Sequence, residues 1–175
     1  LTKKLPTNNY INNHELYKAM VEYKKQIKKL KKTNEKPPIS NYIGECLMLI
    51  AQRLSNHPWF NRYSQHWKEE MISDGIENCI TYLSNFDPKK SKNPFGYFTQ
   101  ITYFSFRRRI EKEKKQQYVR LKNLANYIDP NEAFFNNDRE LYDNNQKFID
   151  DYEKNLLTKK KKAVKVVKGV EKFQI

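Results

Sequence analysis

The sequence predicts an all-α fold: a compact helical domain followed by a partly irregular C-terminal extension. Apolar residues recur at steps of three and four along several stretches, the spacing that lines one side of a helix. Prolines and small polar residues that can cap helices separate those stretches. Gly occurs only 4 times against 12 Tyr and 10 Phe, a composition that disfavours a loop-rich β-sandwich. Charged residues make up 31% of the 175 and hydrophobic residues 38%, so the packed part is expected to be well short of the full length.

The first helix is expected from Asn12 or Asn13, either of which can cap it, with Leu16, Met20, Tyr23, Ile27 and Leu30 as its apolar stripe. Pro37-Pro38 ends it and marks a linker. A second helix follows Ser40, with Ile43, Leu47, Ile50 and Leu54 inward, and Pro58 breaks it. A third runs from about Ser64 to Ser84. Trp67, Met71, Ile76, Ile80 and Leu83 suit its buried side, and Glu69, Glu70, Ser73, Asp74 and Glu77 its wet side. After a basic loop holding Lys89, Lys90 and Lys92, Asn93 caps a fourth helix that opens on Pro94 and is expected to end near Gln117. Residues 118–137 read as a loop or a loosely held helix. Leu141, Phe148, Tyr152 and Leu156 can line one further helix, and the lysines from Lys159 open a tail expected to be mobile. The resulting division is an N-terminal arm (1–11), a helical domain (12–117), an acidic extension (118–158) and a basic tail (159–175).

The formal net charge is +14 and is unevenly spread. Residues 1–40 balance at +7, 41–117 at +4, 118–158 at −3 and 159–175 at +6. Such charge favours a polyanionic partner, nucleic acid before anionic membrane, although a lysine-rich helix can also be merely solvated. No run of eighteen apolar residues and no signal-peptide pattern is present, so a soluble intracellular chain is expected. Cys46 and Cys79 sit singly in apolar patterns and read as buried thiols, and His14, His57 and His66 show no metal-ligand spacing with them. No catalytic pair and no phosphate-cradling glycine loop is found. The expectation is a protein without enzymatic activity, metal or cofactor.

The fourth helix carries the functional signal. At one hundred degrees per residue, Phe95, Phe98, Thr102, Phe106 and Ile110 form a core stripe. The opposite side collects Tyr97, Gln100, Phe104, Arg107, Arg108 and Glu111. Solvating Tyr97 and Phe104 gains a folded domain little unless another surface covers them. Aromatic rings stack on unpaired bases, each worth roughly 1–3 kcal/mol, while arginine and glutamine bind phosphates and base edges. Two readings fit this face. It holds partly melted DNA, with Lys89, Lys90 and Lys92 gripping the backbone; or Tyr97 and Phe104 pack beneath another helix of the chain and the arginines are solvated. On the third helix Glu70, Ser73, Asp74 and Glu77 form an acidic ridge, the wrong sign for DNA. It fits a basic protein partner or a solvated face.

The order of these features resembles region 2 of bacterial sigma factors. The similarity is closer to the late-transcription sigma factors of T-even-type bacteriophages. The carrying stretches are Tyr63-Ser64-Gln65-His66-Trp67-Lys68-Glu69-Glu70-Met71-Ile72-Ser73-Asp74-Gly75-Ile76-Glu77, Asn85-Phe86-Asp87, Lys92-Asn93-Pro94 and Arg109-Ile110-Glu111-Lys112-Glu113. The likeness spans about residues 9–117. It implies a small helical domain that docks on the β′ clamp helices of the host RNA polymerase core, with Glu70, Ser73 and Asp74 at the family's clamp-helix positions and Glu77 beside them. It further implies that Tyr97 meets the flipped base of the minus-ten element, and that Gln100, Phe104, Arg107 and Arg108, flanked by Thr99 and Tyr103, read or hold the non-template strand. Primary sigma factors place a tryptophan pair where Gln100 and Ile101 stand here, so the wedge at the melted edge differs. No region for an upstream minus-thirty-five element is recognisable. A late co-activator and the sliding clamp are further partners that the family implies, but its hydrophobic and acidic clamp-binding end is replaced by a lysine-rich one. Only Phe173 and Ile175 remain there as anchors.

The expectation is therefore a promoter-specificity subunit, acting in the cytoplasm of an infected bacterial host, that recognises and melts a minus-ten-like element of phage late promoters. A stand-alone helical DNA-binding regulator, or a polymerase-binding inhibitor that reads no promoter, would use parts of the same surface.

Overall fold

Four side-chain caps set where the first helices begin. In the computed structural model, which describes the backbone of residues 10–30, 37–126 and 139–171 and the side chains through Lys159, α1 spans Asn13–Leu30, α2 Asn41–Ser55 and α3 Gln65–Thr81. A 3₁₀ turn at Leu83–Asn85 follows, then α4 at Pro94–Ala125 and α5 at Arg139–Glu171. No strand occurs among the described residues. Asn12 Oδ1 accepts the amides of His14 and Glu15, Ser40 Oγ that of Ile43, Ser64 Oγ that of Trp67, and Asn93 Oδ1 that of Gly96. Each satisfies amides that a helix start leaves without an intrahelical partner. Of the two asparagines that open α1, Asn12 is the cap. Asn13 is free to reach α4, where its Oδ1 accepts the Phe95 amide at 3.1 Å and its Nδ2 donates to the Lys92 carbonyl.

The chain divides into two compact units, Leu1–Glu111 and Lys112–Ile175, with the boundary inside α4. In the first unit, Leu16, Met20 and Tyr23 of α1 meet Ile43, Cys46, Leu47 and Ile50 of α2 around Cys79, Leu83, Phe86 and Phe98. A neighbouring cluster joins Ala51, Phe60, Met71, Phe106 and Ile110. Phe86, Phe98 and Phe106 are fully buried, and each ring removed from water contributes on the order of 1.5–3 kcal/mol. Cys46 and Cys79 are both free and buried, as their apolar setting predicts.

The buried side of α3 differs from the predicted one. Met71, Gly75 and Cys79 are buried and Leu83 continues the line, whereas Ile76 is half-buried and Ile80 exposed. The reason is close approach to α4. A Cβ at Gly75 would lie 2.9 Å from Phe106 Cε1 and 3.0 Å from Thr102 Cγ2. Small residues face the tight crossing, and the branched isoleucines are displaced to its edge.

In the second unit, α4 runs eight residues beyond Gln117, through the stretch expected to be a loop or a loosely held helix. Tertiary contact explains the extension. The Tyr118 ring stacks on Tyr152 of α5 with centroids 4.6 Å apart, its hydroxyl donates to Glu153, and Lys122 pairs with the same carboxylate. The predicted stripe of α5 is also shifted. Ile149 is its buried residue and Phe148 and Tyr152 are half-buried, while Leu141 and Leu156 are exposed. The backbone stays helical through the lysines from Lys159 to Glu171, where a mobile tail was expected. The arm at 1–9, residues 127–138, and the candidate anchors Phe173 and Ile175 lie outside the described residues.

Candidate nucleic-acid interface

The loop that delivers α4 is tied down along its length. Tyr17 donates to the Pro88 carbonyl at 3.2 Å, Lys24 to the Ser84 carbonyl, and the Asp87 carboxylate accepts the Lys89 amide at 3.0 Å. Ser91 Oγ accepts the amide of Asn93, which in turn caps the helix. A Cβ at Gly96 would come within 2.7 Å of Asn93 Nδ2, so glycine at this position leaves room for the cap. Lys89, Lys90 and Lys92 project from this fixed loop and are all exposed.

Along α4 the core stripe is largely as predicted: Phe98, Thr102, Phe106 and Ile110 are buried and Phe95 is half-buried. The opposite face is not uniform. Tyr97, expected on the wet side, is half-buried. Its ring packs on Phe86 and Phe98 at 5.3 and 5.1 Å, and its hydroxyl donates to the Tyr82 carbonyl at 3.2 Å. The turn after α3 covers this end of the face, and burial raises the Tyr97 phenol above its ordinary pKa. Farther along, Gln100, Phe104 and Arg107 are exposed, Phe104 to 44%. The two sequence readings of the aromatic pair are thus divided between its members: Tyr97 is packed against the chain and Phe104 is open.

The flanking candidates differ in what their polar groups do. Thr99 is half-buried, and its Oγ1 bonds back to the Phe95 carbonyl at 2.8 Å. Tyr103 is half-buried and meets the rings of Trp59, Phe60 and Phe104 edge to face, each pair with centroids within 6 Å. Trp59 itself is 62% exposed and extends the aromatic surface onto the α2–α3 connection. Sequence reasoning assigned Trp59 no part in this surface. Its place beside Pro58 marked only a break, and nothing local pairs it with Tyr103.

Arg107, Arg108 and Arg109 are consecutive and have three different settings. Arg107 is exposed and forms no ion pair among the described residues. Arg108 donates to Asn78 Oδ1 at 3.0 Å, and Asn78 donates to the Asp74 carbonyl and to Ser105. Arg109 is only 14% exposed and binds Asp74 through two nitrogens at 2.6 and 2.7 Å, with Glu70 at 3.1 Å. This two-pronged bond locks α4 to α3. It also changes the acidic ridge: Asp74 has both oxygens committed within the chain and Glu70 shares the same guanidinium. Ser73 and Glu77 remain exposed, next to Glu69 one turn earlier. Arg109 belongs to the stretches that carry the resemblance, but its spacing from Asp74 gives no sign of the pair.

No group of His, Cys, Asp or Glu suited to a metal ion occurs among the described residues, and no described helix is long and apolar enough to cross a membrane. Both cysteine thiols are shifted above their ordinary pKa by burial. No protein-family model and no curated protein matches the chain.

Proposed function

We propose that the chain is a promoter-specificity subunit of the sigma type, which binds a bacterial RNA polymerase core and captures the non-template strand of a minus-ten-like element on the exposed face of α4. One observation carries this reading. Gln100, Phe104 and Arg107 stand side by side on a helix whose other sides are occupied by the fold, behind a fixed loop of three exposed lysines. An open aromatic ring beside an unpaired guanidinium suits a base with its phosphate. The resemblance of residues 9–117 to sigma region 2 supports polymerase as the partner, with exposed Ser73 and Glu77 as its first contacts. Glu70 and Asp74 would act there together with Arg109, as a fixed group in which one of the two negative charges is offset. Promoter reading needs no catalytic residue of the chain's own. The sequence likeness to phage late sigma factors supports phage late promoters as the target and the infected bacterial host as the place of action.

The test uses the full chain reconstituted with core polymerase on a late-promoter template. Phe104→Ala with Arg107→Ala should leave co-purification with core intact and reduce promoter opening, read by permanganate reactivity of unpaired thymines, by at least about tenfold. Ser73→Lys with Glu77→Lys should weaken co-purification while leaving the fold unchanged. Normal opening by the first variant would refute strand capture on α4. Core binding by the wild type without specific initiation would favour the inhibitor reading. Tight duplex binding that gains nothing from polymerase would favour a stand-alone regulator.

A further inference from the structure

A cleft of about 730 Å³ lies between α1 and the segment that leads into α4. One wall is Val21, Lys24, Lys25 and Lys28; the other runs from Ser84 to Lys90 and brings Lys89 and Lys90. Lys24 crosses the gap to the Ser84 carbonyl and so fixes its width, and the Tyr17–Pro88 bond pins the same walls nearby. Lys25, Lys28, Lys89 and Lys90 are exposed, and none forms an ion pair among the described residues. The one acid lining the cleft, Asp87, is half-buried and turned to the Lys89 amide. A second groove on α1, lined by Lys18, Glu22, Lys25 and Lys29, shares Val21 and Lys25 with the first. Lys18 is paired with Glu15, so among the described residues Lys25 and Lys29 outweigh Glu22 as its free charges.

Solvated lysines on one helix would need no explanation. Here they converge from two chain segments that are hydrogen-bonded at a set distance, which keeps like charges together and favours an anion between them. The continuation along α1 suits an extended polyanion better than a single phosphate. We infer that this cleft is a phosphate track, in which Lys25 and Lys28 on one wall and Lys89 and Lys90 on the other hold the phosphodiester backbone of duplex DNA that leads onto the α4 face. The duplex as occupant rests on the strand-capture reading above; the anion chemistry does not.

The full chain is titrated against a random-sequence duplex over a range of salt, and against a fork with one unpaired end. Lys25→Gln/Lys28→Gln should weaken duplex binding roughly tenfold at low salt and lower the log–log salt slope by about two. Lys89→Gln/Lys90→Gln should do the same. Lys112→Gln/Lys115→Gln removes equal charge outside the cleft and should have a much smaller effect. An unchanged slope in the Lys25/Lys28 variant, an equal loss in the control, or no duplex binding by the wild type at low salt would overturn the track. Tripolyphosphate binding as tightly as duplex would overturn it in favour of a point anion site. Phe104→Ala reports on the fork alone. A wild type without fork preference, or a Phe104→Ala variant that keeps it, marks failure of strand capture while the track stands. A fork preference that Phe104→Ala removes, with an unchanged salt slope in the lysine variants, marks failure of the track alone.

Discussion

The two sides of α4 that carry polar residues contrast sharply. Toward α3, Ser105, Arg108 and Arg109 find Asn78, Asp74 and Glu70, and Thr102 sits against Cys79 at 3.3 Å. Away from α3, Gln100 and Arg107 have no such partners among the described residues, and Phe104 lies open between them on the helix surface. A guanidinium held by two carboxylates is structural; one left in water beside an exposed ring is available. The contrast teaches that residue type alone does not mark a binding surface, since neighbouring arginines fall on either side of it.

The sharpest way to break this contrast is to unlock the α3 side. Arg109→Ala removes the partner of a carboxylate that is itself only 27% exposed. It should lower stability by about 2–3 kcal/mol, less than the full cost of stripping a buried pair because both carboxylates retain some water. Chemical denaturation of the isolated chain checks this, and a change under about 0.5 kcal/mol would show that the lock is dispensable. Gly75→Ala should come next. Its methyl group would press on the Phe106 ring and on Thr102, so a loss of about 1–2 kcal/mol is expected although alanine favours helix. A stabilised variant would show that the crossing has room. On the open side, Arg107→Ala should leave stability within about 0.5 kcal/mol while lowering the salt slope of DNA binding by about one. If Arg107→Ala unfolds the chain, or leaves the slope unaltered, the two sides are not divided in this way.

Acid sharpens a different region. Glu153 is held below the ordinary carboxylate range by hydrogen bonds from Lys122 and then Tyr118. A lowered folded-state pKa means that its contribution is complete above the ordinary carboxylate value and is lost as pH falls through the folded one. Both groups are solvent-exposed, so the change should be small. Near-ultraviolet tyrosine signal from the Tyr118–Tyr152 stack should loosen only in that acidic window, and less so with Glu153→Gln. Loosening between neutral pH and the carboxylate range would exclude Glu153 as its cause.

Much of the first unit is legible along the chain because caps and apolar periodicity are local signals. Ser40, Ser64, Asn93 and Pro94 announce helix starts within a few residues, and the stripes of α1 and α2 need only their own spacing. The α3 stripe is legible at Met71 and Leu83 but not between them, because hydrophobicity favours Ile76 and Ile80 over Gly75, whereas the crossing with α4 favours the residue that is small. Along residues 118–125 the spacing leaves loop and loosely held helix both open for a similar reason: their helix is completed by Tyr152 and Glu153, some thirty residues away.

By itself the sequence determined an all-helical chain, the place of each early helix start, two buried thiols and an aromatic, arginine-bearing face on α4 opposite its core stripe. Those follow from periods and caps that each segment carries within itself. Only the tertiary structure decided that Tyr97 is packed while Phe104 is open, that Arg109 neutralises part of the acidic ridge, and that lysines of α1 face Lys89 and Lys90 across a cleft. Each depends on which distant residue arrives opposite, through the close α3–α4 crossing and the pinned loop before α4, and no spacing within one segment encodes that.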